Sequence, residues 1–361
     1  MIAQRRRHRR ALPALLPLLA VLFACADSPS DPGGRIVAGV DLDVLFAPPT
    51  PAEIAVVHAD WQGRNVSSTG FREEQVAPLV IGVGSQATLR IVSHIVGGAR
   101  HYGAIVVPDG AQARSLPVVV YAHGGDNGVR VEEFVTATFA LGGQASRYAY
   151  VIPSFRSETV RFGAASWRSG GEPSPWDRDV DDALALLDEA LANTPAADPA
   201  RIGVLGSSRG GGVGLVMGVR DARIDGVIDI FGPTDFYGEY VQEIVEEALR
   251  GSVRDLPGMV VLNDRFIKPL REGTITMAEM RRQLLLRSPV YFAERLRGVQ
   301  VHHGTADIVV DVSQGRRLIA RLQELNRTAP AFEFYIYDGG THDALSLPGA
   351  PQRVAAYLSR L

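Results

Sequence analysis

Arg201-Ile202-Gly203-Val204-Leu205-Gly206-Ser207-Ser208-Arg209-Gly210-Gly211-Gly212 is an apolar run that ends in a glycine-flanked serine and passes at once into a second apolar stretch, Val213 to Val219. Its first part, Arg201 to Leu205, has the composition of a buried strand, and Gly210 to Val219 reads as a helix. Between them Gly206-Ser207-Ser208-Arg209-Gly210 fits the pattern G-x-S-x-G. A strand that becomes a helix within so few residues brings its flanking positions too close for side chains, hence the glycines two residues either side of Ser208. The hydroxyl is thereby presented at a helix N-terminus, where the dipole favours developing negative charge. Ser207 does not fit, because Leu205 stands where its first glycine would be.

The same alternation extends outward. Pro117 to Ala122 reads as a buried strand, Glu132 to Ala140 as a helix, Ala149 to Pro153 as a strand and Gly226 to Phe231 as another. Val180, Ala183, Leu187 and Leu191 recur at helical spacing behind Asp177, a residue suited to cap the helix. Upstream, Leu89 to Val96 and Tyr102 to Val107 flank Gly97-Gly98 as a hairpin. A hairpin leading into β-α-β units predicts a mostly parallel sheet with helices on both faces, and such sheets bind ligands at the carboxyl ends of their strands. Asp235 to Leu296 interrupts the alternation with charged, helix-like sequence and is expected to form a cap over that end.

Before the hairpin, Val40, Leu42 and Val44 alternate like a strand. Thr50-Pro51-Ala52-Glu53 carries an N-cap, a proline at the first helical position and a capping-box glutamate, with Ile54, Val57 and Trp61 on one face of the helix that follows. The expected organisation is a small N-terminal appendage over residues 36–87 and a catalytic domain over 88–361, with the cap at about 235–296.

Two further residues complete a chemistry for Ser208. Asp307 follows the strand-like Val299 to Ala306, and His342 follows Tyr337-Asp338-Gly339-Gly340-Thr341. The order Ser, Asp, His, each after a strand, suits a nucleophile, an acid that orients a base, and the base itself. Asp343 would have to bend back on its neighbour, and Asp311 lies near a helix start, where a cap explains it. His123-Gly124-Gly125 follows Pro117 to Ala122, so a backbone N–H of that loop can serve an oxyanion. Gly125 is favoured, with Gly124 and Asp126 open, and the second donor is the N–H of Arg209. His123 itself reads as structural.

Other constellations are weaker. His302 and His303 are neighbours on a strand and point to opposite faces, so they cannot chelate one ion together. Asp177, Asp179, Asp181 and Asp182 resemble a cation site, but acids in a first helical turn are expected from the dipole. Lys268 is the only lysine, which argues against Schiff-base and Ser-Lys chemistry. No metal or cofactor is expected. A net charge of -3 over 361 residues excludes the strongly basic surface of a nucleic-acid-binding protein.

Taken together, Tyr121-Ala122-His123-Gly124-Gly125, Ser154-Phe155-Arg156-Ser157, Asp198 to Gly203 leading into Gly206-Ser207-Ser208-Arg209-Gly210-Gly211, Arg287-Ser288-Pro289, His303-Gly304-Thr305-Ala306-Asp307 and Gly339 to His342 resemble the catalytic domain of the prolyl oligopeptidase (S9) family and its dienelactone-hydrolase-like relatives. The resemblance covers roughly Leu116 to Leu361. It implies an α/β-hydrolase fold and acyl transfer, with Ser208 as nucleophile, Asp307 as acid, His342 as base and the Gly125 and Arg209 amides as oxyanion donors. Two departures stand out: Arg156-Ser157 replaces an Arg-Gly pair, and Arg209 stands where an aromatic residue often follows the nucleophile. The chain before Leu116 is also too short for the β-propeller of the oligopeptidases. The expected substrate is therefore a small ester or a short peptide, with esterase activity foremost. A catalytically silent surface protein using the same cleft is the competing class.

The N-terminus reads as an address. Five arginines among Arg5 to Arg10 precede an apolar run, Ala11 to Ala24, too short to span a bilayer comfortably, which makes residues 1–24 a signal peptide. Leu22-Phe23-Ala24-Cys25 resembles the bacterial lipobox, and Cys25 is the only cysteine in the chain. Lipidation at Cys25, a flexible tether over 25–35 and attachment to a membrane of the cell envelope, periplasmic or at the surface, are the expectations.

Overall fold

The computed structural model describes residues 34–361. Cys25, the signal sequence and most of the tether lie outside the described residues. From Arg35 onward the chain forms one compact unit.

A nine-stranded sheet organises it. In chain order the strands are β1 (Thr69–Gly82), β2 (Ser85–Val96), β3 (Ala99–Pro108), β4 (Leu116–Ala122), β5 (Ala149–Pro153), β6 (Ala197–Ser207), β7 (Ile224–Ile230), β8 (Val299–Gly304) and β9 (Phe332–Tyr337). Their spatial order is β9-β8-β7-β6-β4-β5-β3-β2-β1. The strands from β9 to β5 run parallel, and β3, β2 and β1 are antiparallel at one edge. The parallel strands read as nearly unbroken apolar runs because both faces are covered. On one face Val118, Val120, Val204 and Val227 pack against the helices α3 (Arg178–Asn193) and α4 (Arg209–Arg220). On the other, Val119, Leu205 and Ile228 meet α2 (Val131–Phe139) and α8 (Ala350–Leu358).

The edge strand β1 was not legible, and it corrects the boundary expected at residue 88. Thr69–Gly82 pairs with β2 along most of its length, so the sheet begins inside the supposed appendage. Glu73, Glu74 and Gln75 break the apolar pattern and Pro78 argues against a strand. Both are tolerated because an edge strand has an unpaired side facing water. The strand expected from Val40, Leu42 and Val44 is also corrected: only Val40–Asp41 is extended, and Leu42–Leu45 is a short helix. The Asp41 carboxylate accepts the Asp43 and Val44 N–H groups, and the resulting turn buries Leu42 and Leu45 while exposing Val44.

Helix α1 (Pro51–Gly63) has the capping box that Thr50 and Glu53 foretell. It buries Val57 and sets Trp61 against Phe292, with ring centroids 4.6 Å apart. The N-terminal segment is clamped to the insertion by one arginine. Arg281 on α6 (Met277–Leu285) donates to Glu53 at 2.6 Å and to the carbonyls of Val44, Leu45 and Ala47. The insertion between β7 and β8 is helical, beginning with α5 (Glu239–Leu249), and its apolar side chains belong to the same core as α3 and α4.

The acids around the start of α3 are not cappers. Asp177 makes no side-chain cap bond. Instead each acid engages a different arginine: Asp177 with Arg64 at 2.6 Å, Asp179 with Arg209 at 2.8 Å, Asp181 with Arg220 at 2.6 Å and Asp182 with Arg156 at 2.6 Å. Burial makes this pairing obligatory, since an isolated carboxylate out of water costs several kcal/mol.

Asp229 on β7 is the exception, a fully buried carboxylate that accepts only the Gly232 N–H, at 2.9 Å. Burial pushes its pKa up to about 7. Below about pH 4 the folded and unfolded chains both hold this proton. Between there and pH 7 only the folded chain does, so the charge penalises folding increasingly as pH rises. Asp229→Asn removes the charge and keeps an acceptor for Gly232. The melting temperature of the variant relative to wild type is expected to climb between pH 5 and 8, and a pH-independent gap in a thermal-melt series would show that Asp229 carries no such penalty.

Candidate active site

Ser208 is the hinge between β6 and α4. It sits at φ 53° and ψ −125°, a conformation that costs an L-residue energy and turns its hydroxyl away from the strand. Close packing holds it there. A β-carbon on Gly206 would lie 2.2 Å from the Gly210 carbonyl oxygen, and one on Gly210 would lie 2.0 Å from the Ala122 carbonyl oxygen at the end of β4. The two glycines thus let α4 begin directly against its own strand and its neighbour.

Across the carboxyl ends of the strands, Ser208, His342 and Asp307 form one hydrogen-bonded chain. His342 Nε2 is 2.9 Å from Ser208 Oγ, and His342 Nδ1 is 2.7 Å from Asp307 Oδ2. The second oxygen of Asp307 accepts the Val309 and Val310 N–H groups, each at 2.9 Å. Burial raises the Asp307 pKa, but the His342 bond and these two amides outweigh it and hold the carboxyl below its ordinary value. The carboxylate is therefore ionised and fixed, as an orienting group must be. Asp311 and Asp343 spend their carboxylates locally, on the Ser313 and Leu345 N–H groups.

The loop after β4 lies beside Ser208. A β-carbon on Gly124 would be 3.1 Å from that of Ser208, and Gly125 has φ +72°. Among the described residues, neither the Gly125 N–H nor the Arg209 N–H finds an acceptor in the chain. His123 is buried, stacked on Phe155 at 4.5 Å, with Nδ1 2.9 Å from the Gly124 carbonyl. Burial lowers its pKa to about 4, so it is neutral.

Several neighbours take places at the site that the sequence did not assign to them. His303 sits beneath Asp307 and donates from Nε2 to the Val310 carbonyl at 2.8 Å, which braces the turn that holds the acid. His302 faces the other way, toward Gln300 and the Tyr337 hydroxyl. Phe231, at the end of β7, packs on the His342 ring with centroids 4.3 Å apart. The Tyr240 hydroxyl, on α5, donates to the Val309 carbonyl. Among the described residues no group of three or more His, Cys, Asp or Glu is placed to hold a metal ion.

A cavity of about 30 Å³ opens at Ser208. Trp176, Pro233, Phe236, Tyr240, Ile244, Leu256 and Met259 line much of it, most of them from the insertion, so its wall is almost wholly apolar. A serine, a histidine and an aspartate in one hydrogen-bonded line, beside two N–H groups without acceptors and an apolar pocket, have the parts that acyl transfer requires.

By sequence, the chain matches no protein-family model and no curated protein. Solved structures are similar to it. Acetyl xylan esterase 1 from Thermoanaerobacterium sp. JW/SL YS485 superposes with a TM-score of 0.58 at 17% identity, over 89% of this chain and 98% of that one. The acetyl xylan esterase from Paenibacillus sp. R4 gives 0.57 at 17%, over 88% and 98%. The chain has the α/β-hydrolase fold. Pyrococcus horikoshii acylaminoacyl peptidase gives a TM-score of 0.48 at 16% identity, and the match spans 76% of this chain and 46% of the peptidase. Within this α/β-hydrolase fold the triad-like residues occupy the carboxyl ends of β6, β8 and β9, and the insertion after β7 supplies the pocket wall.

The glycine packing has a measurable consequence. Gly210→Ala drives a methyl into the Ala122 carbonyl and must push α4 away from β4, at a cost of about 3 kcal/mol or more. The variant is expected to melt several degrees lower in differential scanning calorimetry. An unchanged melting temperature would mean that the contact between α4 and β4 is slack.

Proposed function

We propose that the chain is a serine hydrolase that cleaves esters of short carboxylic acids. The observation that carries this reading is the continuous hydrogen-bonded line from Ser208 through His342 to Asp307, ending at an apolar cavity sized for a few heavy atoms. His342 Nε2 takes the Ser208 proton as Oγ attacks the ester carbonyl carbon, and the imidazolium is steadied by Asp307. The tetrahedral oxyanion accepts the Gly125 and Arg209 N–H groups. Collapse breaks the bond to the alcohol, which leaves with the proton from His342. Water then attacks the acyl-serine with His342 again as base, releasing the acid and restoring Ser208.

The acyl part is bounded by the pocket. The narrow apolar pocket beside Ser208 favours a short acyl group such as acetyl or propionyl over a long chain. The acetyl xylan esterases with the same fold support an acetyl ester as the first substrate to try. Esters are favoured over amides because an alcohol leaves with less need of protonation than an amine.

The decisive assay compares p-nitrophenyl acetate, butyrate and octanoate with aminoacyl p-nitroanilides. We expect kcat/KM to fall at least tenfold from acetate to octanoate, with anilides cleaved poorly. Ser208→Ala should abolish turnover and fluorophosphonate labelling, while Asp307→Asn, folded but lacking the carboxylate, should lose about 10⁴-fold in kcat. No labelling and no ester turnover by the wild-type protein would overturn the reading.

We further propose that Cys25 is acylated and anchors the enzyme to a membrane of the cell envelope. The lipobox-like Leu22 to Cys25 supports it, each buried methylene of the lipid contributing about 0.8 kcal/mol to the attachment. Cys25→Ser is expected to move the protein from the detergent phase to the aqueous phase in a Triton X-114 separation. Equal partitioning of the two forms would count against the anchor.

A further inference from the structure

The residue after Ser208 carries a guanidinium that an oxyanion donor does not require. Arg209 is 2% exposed, and each nitrogen of its planar fork faces a carboxylate. Nε donates to an oxygen of Asp179 at 2.9 Å, and Nη2 lies 2.8 Å from the same oxygen. Nη1 bonds Asp126 at 2.7 Å, the Gly125 carbonyl at 3.2 Å and the Glu158 carboxylate. The ring of Phe155 lies 5.1 Å from its central carbon. Three of these partners come from different parts of the chain: the loop after β4, the segment after β5, and the start of α3.

We propose that the Arg209 side chain is a positioning residue that sets the oxyanion loop, and through Asp126 the wall of the acyl pocket. This rests on the hydrolase reading of Ser208. Asp126 is the joint. One of its oxygens takes Arg209 and the other takes the Gly258 N–H at 2.7 Å, in the insertion and next to the pocket-lining Pro257 and Met259. Gly258 lies close against the Trp176 ring, itself part of the pocket: a β-carbon there would be 2.4 Å from it. On the loop side, the bond to the Gly125 carbonyl fixes a peptide plane at φ +72°, where glycine has little conformational preference of its own. The Gly125 N–H, in the neighbouring peptide plane, has no acceptor among the described residues, and that plane's Gly124 lies against Ser208.

Charge stabilisation of the oxyanion by this guanidinium is the weaker alternative. One positive charge meets the carboxylates of Asp126, Asp179 and Glu158, so little net positive field remains for a developing oxyanion. Glu158 sits in enough burial that its pKa rises to about 7, despite Arg209. What the cluster supplies is a planar five-donor fork whose geometry only arginine has.

The test measures p-nitrophenyl acetate hydrolysis per labelled serine, with active sites counted by fluorophosphonate, for wild type, Arg209→Met, Arg209→Lys and Asp126→Asn. A misplaced donor is felt in the transition state, so we expect kcat to fall about 10²-fold in Arg209→Met with KM changed less than threefold. Arg209→Lys, which keeps the charge and loses the fork, should recover less than a tenth of the lost rate. Arg209→Met leaves buried carboxylates unpaired and can fail to fold. Asp126→Asn, at a side chain 40% exposed, keeps the proposal testable. Its amide can accept from Arg209 or Gly258 but lacks the second acceptor, and a fall in kcat of about tenfold with a flattened preference for acetate over butyrate is expected. Wild-type kcat per labelled site in Asp126→Asn, or full rescue by Arg209→Lys, would overturn the proposal while leaving the hydrolase reading standing. Absence of turnover and labelling in the wild type would remove the reading itself.

Discussion

The close contact of α4 with the ends of β4 and β6 is the constraint on which the rest depends. With hydrogen in place of a side chain at Gly206 and Gly210, backbone meets backbone, and the only exit for the chain is the strained turn at Ser208. That turn puts a hydroxyl at the sheet's carboxyl edge and an unpaired N–H immediately after it. Everything else at the site is placed relative to it: the loop after β4 because β4 is the hydrogen-bonded neighbour of β6, and Asp307 and His342 because β8 and β9 end at the same edge.

A second layer is ionic. The four acids around the start of α3 reach four arginines from three segments, namely the end of α1, the loop after β5, and the two ends of α4. Such buried pairs add little net stability, since desolvation offsets their attraction, but they tolerate few alternative geometries. The nearly exclusive use of arginine over lysine suits this role, because a guanidinium bridges several carboxylates in one plane and an ammonium does not. The layer ties both ends of the nucleophile-bearing helix to a neighbouring helix, so the helix on which the turn depends has little freedom to rotate.

The insertion after β7 converts an open strand edge into a pocket. Tyr240 grips the turn that holds Asp307, Phe236 meets Trp176 at 5.1 Å, and Arg281 draws the N-terminal segment over the outer side. The dry wall at Ser208 is thus built by residues distant in sequence from any of the reacting groups. An apolar wall beside Ser208 is less polarisable than water, so electrostatic contacts against it are stronger than in open solvent.

Local signals announced what depended on local chemistry. The glycines around Ser208, the capping box at Thr50 and the apolar runs of the parallel strands are written in consecutive residues, since turns, caps and strand burial follow from short-range sterics and periodicity. Tertiary structure decided the rest. Thr69–Gly82 became a strand because a sheet edge was there to pair with its mixed polar sequence, and Asp177 and its neighbours became arginine partners rather than caps because packing took them out of water. The Arg209 side chain, Phe231 and Tyr240 gained their places at the site from contacts between remote segments. No periodicity in one dimension encodes these, because the partner that fixes each of them lies tens to hundreds of residues away and is brought near only by the fold.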